Sequence, residues 1–389
     1  MSTTVGTETL GTETLAAEQV VPVEPPIQHD RAALPELIQA TQLVRAMQAR
    51  DTFNVDGARA TVAVLDTGLR ATHVDFAGRV VAQRNFTADN NGDSENAADG
   101  NGHGTNVSGI VCAGDIHTGM APRAKLVAVK VLANSGGGSF AQIRDALQWV
   151  LDNRAQHGIS VVSMSLGASD NRDTDADLDG DAIGALFRQL TAAGVVCCVA
   201  AGNDYFAFGS AQGMSYPAIF RETLSVGAVY DANEGGFSYQ SGAKAISTAP
   251  DRITPFSQRL HRKVGGDCET DIFAPGAPIT SSGINNDRGE SIQHGTSQAT
   301  PVIAGIVALL QDFCIRVTGA LPTVGEIRDW LVRSAVDIID GDDEQDNVQH
   351  SGLRYGRVDA MAALTACAKD LARRQLADAG DPTVAVSVR

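Results

Sequence analysis

The feature that most constrains the fold is a regular alternation between short apolar runs and longer segments of helical periodicity. The short runs predict strands at 61–65, 125–131, 159–164, 195–200, 224–229 and 271–273. The periodic segments predict helices at 104–113, 140–157, 182–193, 297–315, 324–334 and 358–373. Strands that alternate with helices usually pair in parallel and are covered on both faces. The sequence therefore predicts an α/β fold with three α/β/α layers and a mostly parallel central sheet.

The composition allows one large domain with extensions and excludes some classes of partner. The chain has 389 residues, and 43% of them are hydrophobic, which is enough for a sizeable core. The net charge of −16 argues against binding to nucleic acid and to anionic membrane surfaces. The apolar run at 302–310 is shorter than a membrane-spanning helix. We therefore expect no nucleic-acid partner and no membrane partner.

Residues 1–40 differ in composition from the rest of the chain. The first 30 residues contain no Lys or Arg, carry scattered acidic residues and have prolines at 22, 25 and 26. This composition predicts a disordered acidic extension or a short pro-segment, although a helix is expected from Leu34 to Met47. The pattern of a secretory signal is missing, which favours a cytoplasmic protein. We expect the main domain to span 41–372, followed by a tail at 373–389.

A serine at a helix start is the first candidate functional residue. The segment 292–305 reads IQHGTSQATPVIAG, and apolar residues at helical spacing follow Ser297. A hydroxyl at this position lies beside unpaired backbone N–H groups and the positive end of the helix dipole. Such donors stabilise the oxyanion that develops in acyl transfer. Taken alone, the pattern is equally typical of a serine that caps a helix.

Two further segments favour catalysis over capping. Residues 61–68 read TVAVLDTG, so that an apolar run ends at Asp66, and residues 101–110 read NGHGTNVSGI, with His103 between two glycines. An aspartate, a histidine and a serine at such positions are the three parts of a nucleophilic triad. The order Asp, His, Ser along the chain is that of subtilisin, whereas chymotrypsin and the α/β-hydrolases have other orders.

On these motifs the chain resembles the subtilisin-like serine proteases, the subtilase family of peptidase S8 type. The resemblance covers residues 55–365 and rests on five blocks: DTG at 66–68, HGT at 103–105, SMSLG at 163–167, VAAGN at 199–203 and GTS at 295–297. It implies a serine endopeptidase that hydrolyses peptide bonds with Asp66, His103 and Ser297. It also implies an oxyanion hole formed by Asn203 and a backbone amide. The alternative is a non-catalytic protein that keeps this fold for binding or as a scaffold.

The resemblance also implies that a protein or peptide substrate binds in extended form between two strand edges. The edges would be Gly136, Gly137 and Gly138 on one side and Ser165, Leu166 and Gly167 on the other. Glycines allow close approach of a second backbone, although a flexible loop is the alternative for the triplet. Ala200, Ala201 and Gly202 would line one wall of the specificity pocket, with Ser215 at its base. We therefore expect the pocket to take a neutral, apolar side chain.

Three positions depart from the family pattern without removing a catalytic group. Asn106 stands where a second histidine is usual, Gln298 where methionine is frequent, and Val302 where histidine is frequent. The chemistry implied by the resemblance requires no cofactor. Asp75 matches a ligand of a calcium site found in many secreted relatives, but the sequence lacks its partners.

Two acidic insertions lie at 89–99 and 169–181. The second alternates carboxylates from position 173 to 181, and such oxygen ligands suit Ca²⁺. Structural calcium bound by Asp175, Asp177 and Asp179 is therefore one interpretation. The alternative is a solvated acidic loop whose field selects basic substrate residues.

The cysteines show no metal-binding spacing. There are six, none in a C-x-x-C motif. Cys314 and Cys367 lie on predicted helices that could approach one another. The even count permits disulfides, but without a secretory signal a reduced compartment is favoured.

Overall fold

The computed structural model describes residues 19–20 and 37–378. Within them the strands are β1 Gln19–Val20, β2 Thr61–Asp66, β3 Val80–Asn85, β4 Lys125–Lys130, β5 Gly138–Ser139, β6 Ile159–Met164, β7 Val196–Ala200, β8 Leu224–Tyr230, β9 Phe237–Ser238, β10 Lys244–Ser247, β11 Ile272–Ala277, β12 Ile279–Ser282, β13 Glu290–Gln293, β14 Val336–Ile339, β15 Gln345–Asp346 and β16 Arg354–Arg357. The helices are α1 Leu37–Leu43, α2 Ala46–Phe53, α3 His103–Cys112, α4 Phe140–His157, α5 Ala182–Ala192, α6 Arg262–Gly265, α7 Thr296–Thr318, α8 Val324–Arg333 and α9 Ala360–Asp378.

The centre of the molecule is a nine-stranded sheet in the order β14-β16-β11-β8-β7-β6-β2-β4-β3. All pairs are parallel except β14 and β16, which lie antiparallel at one edge. All six strands expected from the sequence belong to this sheet. The predicted fold class is confirmed.

Helices cover both faces of the sheet and form two cores. In β2, Val62 and Val64 face the core that contains α3 and α7, whereas Ala63 and Leu65 face the core that contains α4 and α5. Successive side chains of a strand point to opposite faces, so a strand covered on both sides must be apolar throughout. This is why the central strands appear in the sequence as unbroken apolar runs.

Helix α7 crosses the first core and is longer than expected from the sequence. All its residues from Thr296 to Cys314 are buried. By length and composition alone this 23-residue helix could cross a membrane, but 83% of its most apolar window is buried inside the protein. Its apolar character is that of a core helix.

The N-terminal part of the fold differs from the sequence expectation. Instead of one helix from Leu34 to Met47, the described residues form α1 and α2, separated at Arg45, which has a φ of 54°. Arg45 binds the Asp359 carboxylate at 2.6 Å, and the Val44 carbonyl accepts a hydrogen bond from the Ala360 amide at 2.8 Å. The prediction of a single helix was wrong, because these contacts with the start of α9 stabilise the break at Arg45.

The predicted domain boundaries at 40/41 and 372/373 fall inside α1 and α9, respectively. Leu37 and Ala40 are buried against the core, although they lie in the predicted extension. The rest of that extension, apart from Gln19–Val20, and the tail beyond residue 378 lie outside the described residues.

Candidate active site

The end of β2 and the start of α3 bring Asp66 and His103 together. Asp66 is the last residue of β2, and its Oδ1 accepts hydrogen bonds from His103 Nδ1 at 2.8 Å and from the Thr67 amide at 2.7 Å. Both side chains are buried. Gly104 is required here, because a Cβ at this position would lie 2.2 Å from the Gly68 carbonyl oxygen. The glycine thus allows the first turn of α3 to approach the strand end closely.

The surroundings of His103 favour its protonated form. Burial disfavours the imidazolium, but the charge and the hydrogen bond of Asp66 outweigh burial, and the carboxylate of Asp99 adds to them. Together they raise the pKa of His103 above its ordinary value of 6.5. An imidazole that gains a proton readily is suited to accept one from a nucleophile.

Ser297 is the second residue of α7 and is tied to the segment after β6. Its Oγ donates to the Ser165 carbonyl at 3.2 Å, and Ser165 Oγ donates to the Ser297 carbonyl at 2.7 Å. The Ser297 carbonyl is free for this bond because Pro301, four residues later, has no N–H to offer it. The proline therefore lets a side chain outside the helix fix the backbone of Ser297.

The Ser297 hydroxyl does not bond to His103 in this structure. Within the described part of the chain, His103 Nε2 is buried and has no hydrogen-bond partner. The hydroxyl is directed at Ser165 instead. Hydrogen bonds between a nucleophile and its base are often long or misaligned without substrate. The hydroxyl proton of Ser297 would have to turn away from the Ser165 carbonyl to reach Nε2.

Asn203, which follows β7, presents its amide nitrogen at the start of α7. Its Oδ1 accepts hydrogen bonds from the Thr296 amide at 2.9 Å and from Thr296 Oγ1 at 3.0 Å. Two donors on one side of the amide assign that side as the oxygen. Nδ2 is buried and has no partner among the described residues. The amide N–H₂ group of Asn203 is thus oriented and unbonded beside the first turn of α7.

The residues of the two predicted substrate edges lie within or next to strands and are buried or half-buried. Ser165, Leu166 and Gly167 directly follow β6. Gly138 belongs to β5, and Gly136 and Gly137 form the turn before it through hydrogen bonds with Ala133. Strand β1 pairs antiparallel with β5, with Gln19 opposite Ser139 and Val20 opposite Gly138. This edge therefore accepts an extended strand.

Gln258, which no sequence motif marks, lies behind Gly202 in the predicted pocket wall. Gly202 has a φ of 110°, and a Cβ there would lie 1.9 Å from Gln258 Oε1. Ser215 Oγ donates to the Ala168 and Tyr216 carbonyls, so its hydroxyl is committed to the backbone. Gln258 comes from a distant loop without a motif. Only the tertiary structure brings it behind Gly202.

Asp75 is surrounded by donors. Its Oδ2 accepts hydrogen bonds from His117 Nδ1 and Ser282 Oγ, both at 2.7 Å, and its Oδ1 accepts from the amides of Asp115 and His117. Burial opposes ionisation, but the hydrogen bonds from His117 and Ser282 outweigh it and lower the pKa of Asp75 to about 2. An imidazole and a hydroxyl thus bind the carboxylate that matches a calcium ligand in relatives.

The structure does not bring Asp175, Asp177 and Asp179 together. Asp175 binds Arg221 at 2.9 Å, Asp177 binds Arg172 at 3.0 Å, and Asp179 is exposed. Within the described residues, the group of three or more acidic side chains that lie close enough to share a metal ion is Asp342, Asp343 and Glu344, of which the first two are exposed. The geometry gives no support to a calcium site in the 169–181 loop.

Comparison with known proteins agrees with the motifs. The model of the subtilase family, peptidase S8, matches residues 57–356. Subtilisin DY of Bacillus licheniformis is 34% identical over 257 residues, which are 65% of this chain and 77% of that protein. An intracellular serine protease of Paenibacillus polymyxa is 30% identical over 273 residues, covering 69% and 72% of the two chains. Serine protease AprX of Bacillus subtilis (strain 168) is 32% identical over 292 residues, covering 70% and 61%.

Proposed function

The chain belongs to the subtilase family and is a serine endopeptidase, and we propose that Ser297 is its nucleophile, with His103 and Asp66 completing the catalytic triad. The observation that carries this proposal is the buried contact of 2.8 Å between His103 Nδ1 and Asp66 Oδ1, at the strand end that the sequence motifs indicate. The contact leaves Nε2 as the nitrogen that can accept a proton.

In the proposed mechanism, Ser297 Oγ attacks the scissile carbonyl while its proton moves to His103 Nε2. Asp66 holds the imidazole by its Nδ1–H and stabilises the imidazolium that forms. His103 then donates the proton to the leaving amine, and an acyl-enzyme remains on Ser297. A water molecule, deprotonated by His103, hydrolyses this ester and restores the hydroxyl. No step requires a cofactor.

The oxyanion that forms in both steps would be stabilised by Asn203 Nδ2 and by the Ser297 backbone amide. Support comes from the orientation of Asn203, whose oxygen is held by Thr296. A donor that is fixed before the reaction needs no reorganisation when charge develops. The buried position of both residues strengthens the interaction, because the local dielectric constant is low.

The proposal can be tested with a fluorophosphonate probe, which reacts covalently only with an activated serine. The parent enzyme should be labelled on Ser297 and should hydrolyse peptides. Ser297→Ala should lose labelling and about 10⁶-fold in kcat. Ser160→Ala, a matched change of a buried serine outside the site, should keep both. A parent protein that neither reacts with the probe nor cleaves peptides would instead favour the non-catalytic alternative.

We propose that the substrate binds in extended form along β5 and along the segment Ser165–Leu166–Gly167, and that the N-terminal extension competes for the first edge. Support comes from β1, which already lies antiparallel to β5. The extension would then act as a short pro-segment, and the peptidase domain would follow it. Deleting residues 1–36 should lower KM for peptides with little change in kcat. Val20→Pro should act in the same direction and Val5→Pro should not, whereas an unchanged KM after the deletion would contradict the competition.

We propose that the 169–181 loop is a solvated acidic rim rather than a calcium site. Support comes from the separate partners of Asp175 and Asp177. The exposed residues Asp173 and Asp179 would contribute a negative field that attracts Lys and Arg in substrates. Salt should weaken cleavage of basic peptides more in the parent than in a variant with Asn at both positions. A saturable rise of Tm with calcium that this variant loses would restore the metal interpretation.

We propose that the enzyme acts inside the cell. Two of the relatives are named as intracellular serine proteases. All six cysteines are free thiols in buried positions, which fits a reducing compartment. Recovery of the activity in the culture medium rather than in the cytosolic fraction would contradict this placement.

A further inference from the structure

Asp99 lies just before α3, the helix that begins at His103, and its carboxylate accepts five hydrogen bonds. Its Oδ1 accepts from Thr67 Oγ1 at 3.0 Å and from the amides of Asn101 and Gly102, each at 2.9 Å. Its Oδ2 accepts from the Thr105 amide at 3.0 Å and from Thr105 Oγ1 at 2.7 Å. Asp99 belongs to the acidic 89–99 insertion, where the sequence alone does not distinguish it from its neighbours.

These donors surround His103 in sequence and in space. Asn101 and Gly102 lie directly before His103, and Thr105 lies two residues after it. Thr67 directly follows Asp66, and its Oγ1 also accepts a hydrogen bond from the Gly104 amide at 2.8 Å. One carboxylate therefore joins the turn that carries His103 to the strand end that carries Asp66.

The chemistry of these contacts requires a carboxylate. All five partners are donors, and an ionised carboxylate offers acceptors on both oxygens. An amide would direct its N–H₂ group at the donors on one side, in either orientation. The negative charge also reaches the histidine: burial lowers the pKa of His103, whereas Asp66 and, to a smaller extent, Asp99 raise it. The imidazolium formed during catalysis would gain from the same field.

We propose that Asp99 is a positioning residue for the Asp66–His103 pair. This inference rests on the catalytic role proposed above for His103. Both carboxylate oxygens of Asp99 are bound by protein donors, so its role would be exerted through His103. It holds the backbone on both sides of the imidazole, so that Nδ1 stays on Asp66 and Nε2 stays directed at the reacting atoms. A purely structural role would be limited to stability, and the two roles are distinguished by how kcat and its pH dependence respond.

The test compares Asp99→Asn with Asp93→Asn, which makes the same charge change in the same insertion. Asp93 is exposed, and its side chain accepts one hydrogen bond, from the Glu95 amide. Asp99→Asn should lower kcat by about 10- to 100-fold with KM nearly unchanged, because misplaced catalytic groups cost rate rather than binding. The acid limb of its pH–rate profile should move to lower pH, because a charge that favours the imidazolium is lost. Asp93→Asn should match the parent in both respects.

A parent-like kcat and acid limb in Asp99→Asn would overturn the proposal, as would a loss of Tm without a change in kcat. If Asp99→Asn does not fold, Thr67→Ser and Thr67→Val test the same link, because only serine keeps the hydroxyl. Thr67→Ser should keep kcat and Thr67→Val should lower it, and equal activities would overturn the proposal. Failure of the proposed triad is recognised separately, since Ser297→Ala would then retain activity whatever the result at Asp99.

Discussion

At the scale of the residue, two polar atoms of the proposed site have no protein partner among the described residues. His103 Nε2 and Asn203 Nδ2 are buried and unbonded within the described part of the chain. Leaving a buried polar atom unsatisfied costs about 1–3 kcal/mol, so each such atom requires an explanation, and a catalytic role is one. The second nitrogen or oxygen of each side chain is held by a defined partner, Asp66 or Thr296. Each side chain is thus oriented at one end and unbonded at the other, as the proposed mechanism requires.

We predict that kcat/KM falls on acidification with an apparent pKa above 6.5. The base must be neutral to accept a proton, so activity is present above the pKa of His103 and is lost as pH falls through it. That pKa is raised, chiefly because Asp66 outweighs burial. A pH–rate profile on a neutral peptide measures it. An acid limb of this profile with an apparent pKa of about 6 or lower would contradict the environment described for His103.

At the scale of the element, α3 and α7 are joined by a network of side-chain amides. Asn106 Nδ2 donates to the Ser291 carbonyl at 2.9 Å, and Gln298 Nε2 donates to Gln293 Oε1 at 3.1 Å and to Asn106 Oδ1 at 3.4 Å. Asn106 and Gln298 are two of the positions that depart from the family pattern. Strand β13, which carries Ser291 and Gln293, thus links α3 to α7.

We predict that the enzyme resists dilute peroxide and that Gln298→Met makes it sensitive. A methionine next to Ser297 would be converted to a polar sulfoxide beside the nucleophile, whereas glutamine is inert. Residual activity after a fixed exposure, with oxidised residues located by mass spectrometry, gives the comparison. Rapid loss in the parent, accompanied by oxidation of buried Met164 or Met214, would show that another methionine controls sensitivity.

At the scale of the whole molecule, the net charge is −16, and the stability of the fold depends on how its buried carboxylates are paired. Asp75 connects three segments that are far apart in sequence, through His117 and Ser282. Asp340 also connects separate segments, because it binds both Arg259 and His350. Stability in acid should therefore be limited by a few such groups rather than by the many exposed acids.

We predict that Asp75 contributes about 2 kcal/mol to the free energy of unfolding near neutral pH, from the difference between its ordinary pKa of 3.8 and its folded value of about 2. Because the folded pKa is the lower one, this contribution is present above about pH 4 and is lost as pH falls towards 2. Denaturant unfolding of the parent and of Asp75→Asn between pH 2 and pH 6 measures it. The variant should be less stable near pH 6 and show a shallower decline below pH 4. Parallel curves would contradict the assignment.

The sequence by itself determined six strands of the central sheet and the positions of Asp66 and Ser297 at the ends of their elements. Strands buried on both faces must be apolar throughout, so β2 and β6 could be recognised from local composition. Asp66 ends such a strand and Ser297 begins an apolar helix, and both positions follow from periodicity and the motifs. The approach of Cys314 to Cys367 was also anticipated, and their sulfur atoms lie 3.4 Å apart. The strand and helix features depend on residues that are neighbours in sequence, whereas the cysteine contact depends on two helices that each could be recognised locally.

Only the tertiary structure decided the features that depend on distant residues. The edge strand β3 is mostly half-exposed and gives no apolar run, so its place beside β4 follows from pairing alone. The break at Arg45 depends on Asp359, and the place of Gln258 behind Gly202 depends on a loop more than fifty residues away. The aspartates of the 169–181 loop resembled a series of metal ligands, yet Asp175 pairs with Arg221 from another segment and Asp177 pairs with Arg172 of the same loop. Hydrogen bonds and ion pairs are short-ranged, so which donor meets which carboxylate is settled only when the chain is folded.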